Sequence, residues 1–392
     1  FNALSILEER SESMAKTITL EEGKPLTDAM GEVKRAMNII EYAAGEGRRM
    51  FGYTTPSELP NTVAYTVKRP LGVVGIITPW NFPLAIPAWK IAPALICGNT
   101  IVFKPASSTP MTAVKLVEIF EEAGIPPGVL NLVTGSGKSA GNAIVSSPDV
   151  NGISFTGSTD IGSEIYTEGA RSLKKIQCEM GGKNAVILLA DADMGKAVEG
   201  IVQAAFGSTG QRCTATSRVI VEKTIYEQFM EALLERTSKL KIGDGLVAGI
   251  DVGPLASQSQ FETVTNYLAT GVEEGASLVY GGNTLSGNQY DNGYYIEPAI
   301  FTDVTPLMRI AQEEIFGPVL TVFTAENLEE AIEISNSVKF GLSSSIYTTD
   351  LTKAFKYVDC VESGIIHVNS PTLGGEVPLP FGFVLGVKTQ LK

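Results

Sequence analysis

Cys213 sits in Gly207-Ser208-Thr209-Gly210-Gln211-Arg212-Cys213-Thr214, a run of small residues that predicts close access of substrate and solvent to a thiol. A thiol with an ordinary pKa of ~8.5 is a few per cent thiolate near neutrality, and a neighbouring cation or helix terminus raises that share. Arg212 is one such cation. Upstream, Glu179 opens Glu179-Met180-Gly181-Gly182-Lys183, and further back stands Pro79-Trp80-Asn81-Phe82-Pro83. The three segments offer a nucleophile, a base and an amide donor. A carboxylate among Cys178, Met180 and two glycines is expected to be partly desolvated, which raises its pKa towards the general-base range. Taken singly, Glu179 reads equally as a salt-bridge partner and Cys213 as a buried apolar thiol. Their combination points to catalysis.

Other chemistries fit less well. The chain has a single histidine, His367, so any Ser-His or Cys-His dyad depends on it alone. Its setting, Gly364-Ile365-Ile366-His367-Val368-Asn369, reads as a strand, where packing is its expected use. Cys97, Cys178, Cys213 and Cys360 are scattered without a CxxC pair, which argues against zinc or any other metal and against a secreted disulfide framework. A reducing cytoplasm is the expected compartment, since neither a basic-apolar leader nor a long apolar span is seen. The 30 Lys and Arg against 43 Asp and Glu give a net charge of -13, which disfavours nucleic acid and anionic membranes as partners.

Three segments are suited to a phosphate. Gly135-Ser136-Gly137-Lys138-Ser139-Ala140 follows an apolar run and fits G-x-G-x-x-A, but Leu132 stands where a P-loop needs its first glycine. Phe155-Thr156-Gly157-Ser158-Thr159-Asp160 leaves a strand and enters a helix whose amides and dipole suit a pyrophosphate, with an ordinary serine N-cap as the alternative. Lys104, in Phe103-Lys104-Pro105-Ala106-Ser107, ends a strand where a ligand crevice would lie, although an isolated lysine is more often a solvated surface charge.

The 392 residues suffice for two or more domains. Helical periodicity from Ala3 to about Met50, broken at Gly23-Lys24-Pro25, predicts two amphipathic helices. Residues 62–69 alternate as a half-exposed strand after the turn-rich stretch 56–61, a candidate protruding arm. Short apolar runs at 73–77, 100–103, 129–133, 152–155 and 176–178 then alternate with helices, which predicts a doubly wound parallel sheet with ligands at its carboxyl ends. A second α/β domain is expected beyond Asn184, with strands at 185–189, 218–221, 319–323 and 345–347. Phe82 and Trp89 are seven apart in an apparent helix, so they are expected to share a face that lines a substrate channel or packs in the core.

Five motifs in order, Pro79-Trp80-Asn81-Phe82-Pro83, Phe155-Thr156-Gly157-Ser158, Glu179-Met180-Gly181-Gly182-Lys183, Gly210-Gln211-Arg212-Cys213 and Glu313-Glu314-Ile315-Phe316-Gly317-Pro318, make the chain resemble the aldehyde dehydrogenase superfamily. Within it, Thr19 to Lys24 and Gly210 to Arg218 look most like the 2,5-dioxopentanoate (α-ketoglutarate semialdehyde) dehydrogenases. The resemblance implies a Rossmann-type cofactor domain over 1–50 and 70–181, an oligomerisation arm over 51–69 and an α/β catalytic domain over 182–386. It implies NAD(P)-dependent oxidation of a small, acidic semialdehyde, with Cys213 as nucleophile, Glu179 as base, and Asn81 with the Cys213 amide holding the oxyanion. Thr78, Trp80, Lys104, Gly137, Thr156, Gly157 and Ser158 are implied cofactor contacts, and Glu314 and Phe316 are expected at the nicotinamide ribose and ring, Phe316 otherwise packing in the core. Ser107 stands where NAD-preferring relatives carry a glutamate, so NADP is expected to be preferred over NAD. Arg212 is a candidate for the substrate's distal carboxylate, or for thiolate stabilisation or the surface. Succinate semialdehyde, glyceraldehyde and aliphatic aldehydes are alternative substrates. A truncated, non-catalytic cofactor-binding protein is the reading from another class, whereas CoA acylation fits less well because Glu179 supplies a hydrolytic base.

The pattern differs at both ends. Relatives begin several dozen residues earlier, and after Pro380-Phe381-Gly382 they continue with a second glycine, a lysine, a Ser-Gly turn, a helix and a strand. Here Phe383-Val384-Leu385-Gly386-Val387-Lys388 follows and the sequence stops at Lys392, so 387–392 is expected to be atypical. The absent strand would pair with the arm across subunits, so the homodimer or homotetramer implied by the resemblance is expected to be weakened.

Overall fold

The computed structural model describes residues 1–383, and the expectation for 387–392 lies outside them. The chain forms two compact units: Phe1–Glu21 with Ala29–Glu179, and Glu22–Asp28 with the chain from Met180 onward.

The chain opens on three helices, α1 (Asn2–Glu9), α2 (Ser11–Glu22) and α3 (Leu26–Glu46), rather than the expected two, and Glu22–Asp28, from the end of α2 into the first turn of α3, belong to the second unit. Arg10 alone leaves helical geometry, at φ -102° and ψ 11°. A one-residue break leaves the apolar periodicity intact, so the sequence pattern does not reveal it. Helix α3 buries Ala29, Val33, Ala36, Ile40 and Ala43, a stripe at three- and four-residue spacing. The arm is a two-stranded antiparallel ribbon of β1 (Thr54–Pro56) and β2 (Val63–Tyr65), shorter than the alternation over 62–69.

Five parallel strands follow: β3 (Val73–Ile77), β4 (Thr100–Lys104), β5 (Leu130–Leu132), β6 (Gly152–Thr156) and β7 (Lys175–Glu179). Their order is β5-β4-β3-β6-β7, so the winding reverses at β3, and the crevice outside the carboxyl ends of β3 and β6 is the expected ligand position. The crossovers carry α4 (Ala85–Ile96), α5 (Pro110–Glu122), α6 (Asn142–Ser146) and α7 (Thr159–Arg171). Ile76, Ile101 and Phe103 are fully buried, as strands covered on both faces require.

In the second unit a seven-stranded sheet has the order β10-β13-β14-β9-β8-β15-β16. Its strands are β8 (Asn184–Leu188), β9 (Thr216–Glu222), β10 (Ser277–Tyr280), β13 (Ala299–Thr302), β14 (Val319–Ala325), β15 (Ser343–Tyr347) and β16 (Ile365–Val368), while β11 (Thr284–Leu285) and β12 (Tyr295–Ile296) form a small ribbon. All pairings in the large sheet are parallel except that of the edge strand β10. Strands β10 and β13 escaped the sequence reading: β10 is mostly exposed, and β13 is four residues between Pro298 and Asp303. Helices α8 (Met194–Phe206), α9 (Tyr226–Ser238), α10 (Gln258–Glu273), α11 (Arg309–Gln312), α12 (Leu328–Asn336) and α13 (Leu351–Cys360) complete the unit. His367 lies in β16 opposite Ser345, as its setting predicts. Among the described residues no helix is long and apolar enough to cross a membrane.

Candidate active site

In the first unit the turn after β3 carries Thr78, Trp80, Asn81 and Phe82, and the amide of Thr78 donates to the Lys104 carbonyl at 3.2 Å. Asn81 is buried. The helix that follows starts at Ala85, so Phe82 precedes it and does not share a helical face with Trp89 as expected. Pro83 follows Phe82, and a residue before proline is pushed away from helical geometry. Glu32 of α3 accepts the amides of Leu84 and Ala85 at 2.8 and 3.1 Å, capping α4 from outside the segment. Trp89 lies under the Arg35 guanidinium, 4.8 Å from the ring centre.

Glu179 ends β7, half-buried as the sequence predicts. Burial raises its pKa to about 7, against the opposing pull of Lys90 and a hydrogen bond from Gln177. Gln177 Nε2 donates to Glu179 Oε1 at 2.9 Å, and Oε2 is buried without a partner among the described residues. Lys90, on the buried face of α4, donates to Ser154 Oγ at 2.9 Å, Phe155 O at 3.2 Å and Gln177 Oε1 at 3.4 Å. Burial lowers its pKa to about 8, with the Glu179 charge acting the other way. A carboxylate can take a proton only when ionised, so any turnover that depends on Glu179 as a base is expected to rise as pH passes about 7. Removing the cation removes what holds that midpoint down. In Lys90→Met the rising limb of the pH–kcat profile is therefore expected to move to higher pH, while Lys90→Arg, which keeps the charge, moves it far less. An unmoved limb in Lys90→Met would refute the electrostatic link.

Gly157 leaves β6 and donates its amide to the Glu179 carbonyl at 3.1 Å. A side chain on Gly157 would meet the Phe155 ring at 2.5 Å, so the backbone here stays bare. Ser158 is the exposed N-cap residue of α7, and its hydroxyl makes no capping bond, so the helix's first amides are left for a ligand anion. Lys104 is buried rather than the solvated charge an isolated lysine suggests: its Nζ donates to Pro105 O at 2.7 Å, and burial lowers its pKa. Ser107, exposed, donates to the Gly135 carbonyl at 3.1 Å. Gly137 begins a single wide turn, Gly137–Gly141, ahead of the five-residue α6, and Ser136 Oγ caps it by accepting from Ser139 N.

In the second unit the thiol loop departs from expectation. Ser208, Thr209 and Gln211 are almost wholly buried, so the small residues serve a tight turn rather than open access. Ser208, Thr209 and Gly210 have φ of 49°, 58° and 66°, three successive left-handed residues. Such geometry costs about 1–3 kcal/mol per non-glycine residue and persists only when neighbours impose it. A side chain at Gly210 would lie 2.2 Å from the Gly317 carbonyl. Asp28 accepts the amide and the hydroxyl of Ser208 at 2.9 and 2.7 Å, and Arg212 Nη2 bonds both Asp28 and Ser208 Oγ at 3.1 and 2.7 Å. Arg212 is thus engaged within the loop that carries Cys213. Cys213 itself is half-buried.

Behind the thiol, Asn184 Nδ2 donates to the carbonyls of Cys213 and Ala215, both at 2.8 Å, and its Oδ1 accepts from Ser343 N at 3.0 Å. Thr372 donates to Thr214 O at 2.7 Å. Gly182 has no room for a side chain, since one would fall 2.6 Å from the Cys213 carbonyl. Asn184→Ala frees that carbonyl from its donor, and a misplaced thiol is expected to lower kcat by on the order of 10²-fold with KM little changed. An equal loss through KM alone would assign Asn184 to substrate binding instead.

Glu314 accepts the Gly182 amide at 3.0 Å, and burial raises its pKa to about 7. Phe316 has φ of 59°, and Gln260 Nε2 donates to its carbonyl at 2.9 Å and to that of Ile315 at 3.0 Å, fixing the strained turn.

A protein-family model described as "Aldehyde dehydrogenase family" matches residues 1–389. The chain belongs to the aldehyde dehydrogenase family. It is 47% identical over 382 residues to the α-ketoglutaric semialdehyde dehydrogenase of Bacillus subtilis (strain 168), covering 97% of this chain and 78% of that one. It is 46% identical over 379 residues to the 2,5-dioxopentanoate dehydrogenase of Saccharolobus solfataricus, covering 96% and 78%. Among solved structures it resembles Staphylococcus aureus betaine aldehyde dehydrogenase in complex with NAD+, with a TM-score of 0.96 at 34% identity over 98% of this chain and 76% of that one.

This aldehyde dehydrogenase contains site residues that the sequence reading missed. Lys90 lay inside an apolar helix, where a lone lysine invites closer attention because burial needs partners. Asn184 follows the Glu179 motif directly and served only to mark where the second domain is expected to begin. Glu32 and Thr372 carry no local signal, because their partners come from distant segments.

Proposed function

We propose that this aldehyde dehydrogenase oxidises 2,5-dioxopentanoate at its aldehyde carbon to the corresponding dicarboxylic acid. The reading rests on the 47% and 46% identity, across nearly the whole chain, to two relatives named for that substrate. Initial rates with 2,5-dioxopentanoate, succinate semialdehyde, glyceraldehyde and a simple aliphatic aldehyde test it. The expected order places kcat/KM for 2,5-dioxopentanoate first, and a higher value for any of the others would overturn the assignment.

Cys213 is assigned as the nucleophile, and its amide with the Asn81 side chain as donors to the thiohemiacetal oxyanion. Glu179 is the base that takes a proton from water as the thioester is hydrolysed. The bound nicotinamide cofactor supplies the acceptor for the hydride lost from the substrate carbon. Residues 1–50 and 70–181 are assigned to hold it: Gly157, Ser158 and the free amides of α7 suit its pyrophosphate, with Thr78, Trp80, Lys104, Gly137 and Thr156 in the same unit. Residues 182–386 carry the thiol, with Glu314 and Phe316 for the nicotinamide end. Phe82 and Trp89 remain candidates for the aldehyde channel. Arg212, engaged by Asp28 and Ser208, suits a brace for the thiol loop better than a free partner for the substrate's carboxylate.

NADP is the preferred cofactor in this reading. The exposed Ser107 hydroxyl is neutral and tied to Gly135 O, so nothing at this position repels a 2′-phosphate. Ser107→Glu is expected to turn the ratio of kcat/KM for NADP over NAD towards NAD by about tenfold or more, the scale of one like-charge contact. An unchanged ratio would remove Ser107 from cofactor selection. The arm exposes Tyr53, Val63 and Tyr65, each about two-thirds or more accessible, which supports a homodimer or homotetramer through residues 51–69. The four free cysteines suit the cytoplasm.

A further inference from the structure

A small cavity lies at the amino ends of β8, β15 and β16, lined by Lys183, Arg218, Ser335, Ser343, Ser344 and Ser363. It measures about 10 Å3, room for a single atom or water. Lys183 is 2% exposed, and its Nζ has no hydrogen-bond partner among the described residues. Arg218, also 2% exposed, donates Nε to Lys183 O at 3.0 Å, Nη1 to Ile334 O at 2.9 Å and Nη2 to Ser335 O at 2.8 Å. These acceptors are all neutral carbonyls, and among the described residues neither cation forms an ion pair. Two buried positive groups beside one cavity repel each other, and isolated buried charge is costly unless it is paired. Carbonyls satisfy hydrogen bonds but bring no full negative charge. A water in the cavity would satisfy Nζ but bring no negative charge.

We propose that this cavity is a binding site for a small monovalent anion of the chloride class, held by Lys183 Nζ and the field of Arg218, with serine hydroxyls as further donors. The Ser343 hydroxyl is already given to Thr372 O at 2.7 Å, which leaves the other three serines for that role. The site is independent of which aldehyde the enzyme oxidises. Glu313 and Glu314 are the acidic groups whose charge acts on Lys183, and Arg218 is the opposing cation; the remaining lining is uncharged. Burial and Arg218 lower the Lys183 pKa to about 7, so above that pH an anion must recruit a proton as it binds. Its affinity is then expected to fall by about tenfold per pH unit.

The purified full chain, dialysed into gluconate buffer, is titrated with sodium chloride against sodium gluconate at constant ionic strength, and thermal melting is followed at pH 6.5 and pH 8.5. The expected result is a saturable rise in melting temperature with chloride alone, larger at the lower pH and absent in Lys183→Met. Crystals of the unaltered protein grown with bromide should show an anomalous peak in contact with Lys183 Nζ, which decides the matter even where the variant does not fold. Equal melting in chloride and gluconate, chloride dependence retained by Lys183→Met, or ordinary water density at Nζ would each overturn the site.

Discussion

Cys213→Ala is expected to lower aldehyde-dependent reduction of the nicotinamide by roughly 10⁴- to 10⁶-fold, the scale on which nucleophilic catalysis fails when the nucleophile is deleted. The methyl group preserves the backbone, and Asp28 and Arg212 on one side with Asn184 and Thr372 on the other still support the loop. Cofactor affinity and melting temperature should therefore stay near those of the unaltered enzyme. The loss would then belong to chemistry rather than to folding. Steady-state rates with 2,5-dioxopentanoate, paired with fluorescence titration of NADP, provide the check. Turnover within about tenfold of the unaltered enzyme would remove Cys213 from the mechanism. Burial lowers the pKa of His367, and it faces Ser370 at 3.5 Å, a setting that favours a neutral packed imidazole.

Glu179→Gln should separate the two halves of the reaction. The amide accepts the bond from Gln177 but cannot take a proton from water, so acylation of Cys213 proceeds while hydrolysis stalls. A burst of about one equivalent of reduced cofactor per subunit is expected, followed by a steady rate on the order of 10²- to 10⁴-fold below normal. Hydroxylamine, which attacks a thioester without a base, should restore turnover in the variant and add little to the unaltered enzyme. The pH dependence adds a further readout. Glu179 has its pKa raised to about 7 by burial, so hydrolysis in the unaltered enzyme is suppressed at pH 6 and full by pH 8, whereas the variant is flat across that interval. Loss of the burst together with the steady rate would show that Glu179 serves the first half of the reaction.

Much of this was legible before any fold was known, because its causes are local. Strands β3, β4 and β6 in the first unit are short, largely apolar runs bounded by turn residues, and a chain that alternates such runs with amphipathic helices has few ways to bury them other than a parallel sheet. The Gly157-Ser158 junction between β6 and α7 follows from residue type in the same way, since a bare backbone and an N-cap serine at a strand-to-helix turn leave amides open. Strand β13 and the break at Arg10 were not legible, as one is too short and the other too mild to disturb a periodicity.

By itself, then, the sequence determined the reactive groups, their order and the type of sheet that carries them, because thiol, carboxylate and amide keep their intrinsic chemistry and apolar spacing keeps its period wherever the chain goes. Only the tertiary structure decided how those groups are tuned. The Glu179 pKa depends on how much water is excluded and on a cation from α4, and electrostatic energy follows distance through space rather than position in the chain. The left-handed turn before Cys213 is held at the Ser208 amide by Asp28, and the thiol's own segment is held at the Cys213 and Thr214 carbonyls by Asn184 and Thr372, all drawn from separate segments. Residue type allows such bonds. Only folding brings their donors and acceptors within reach.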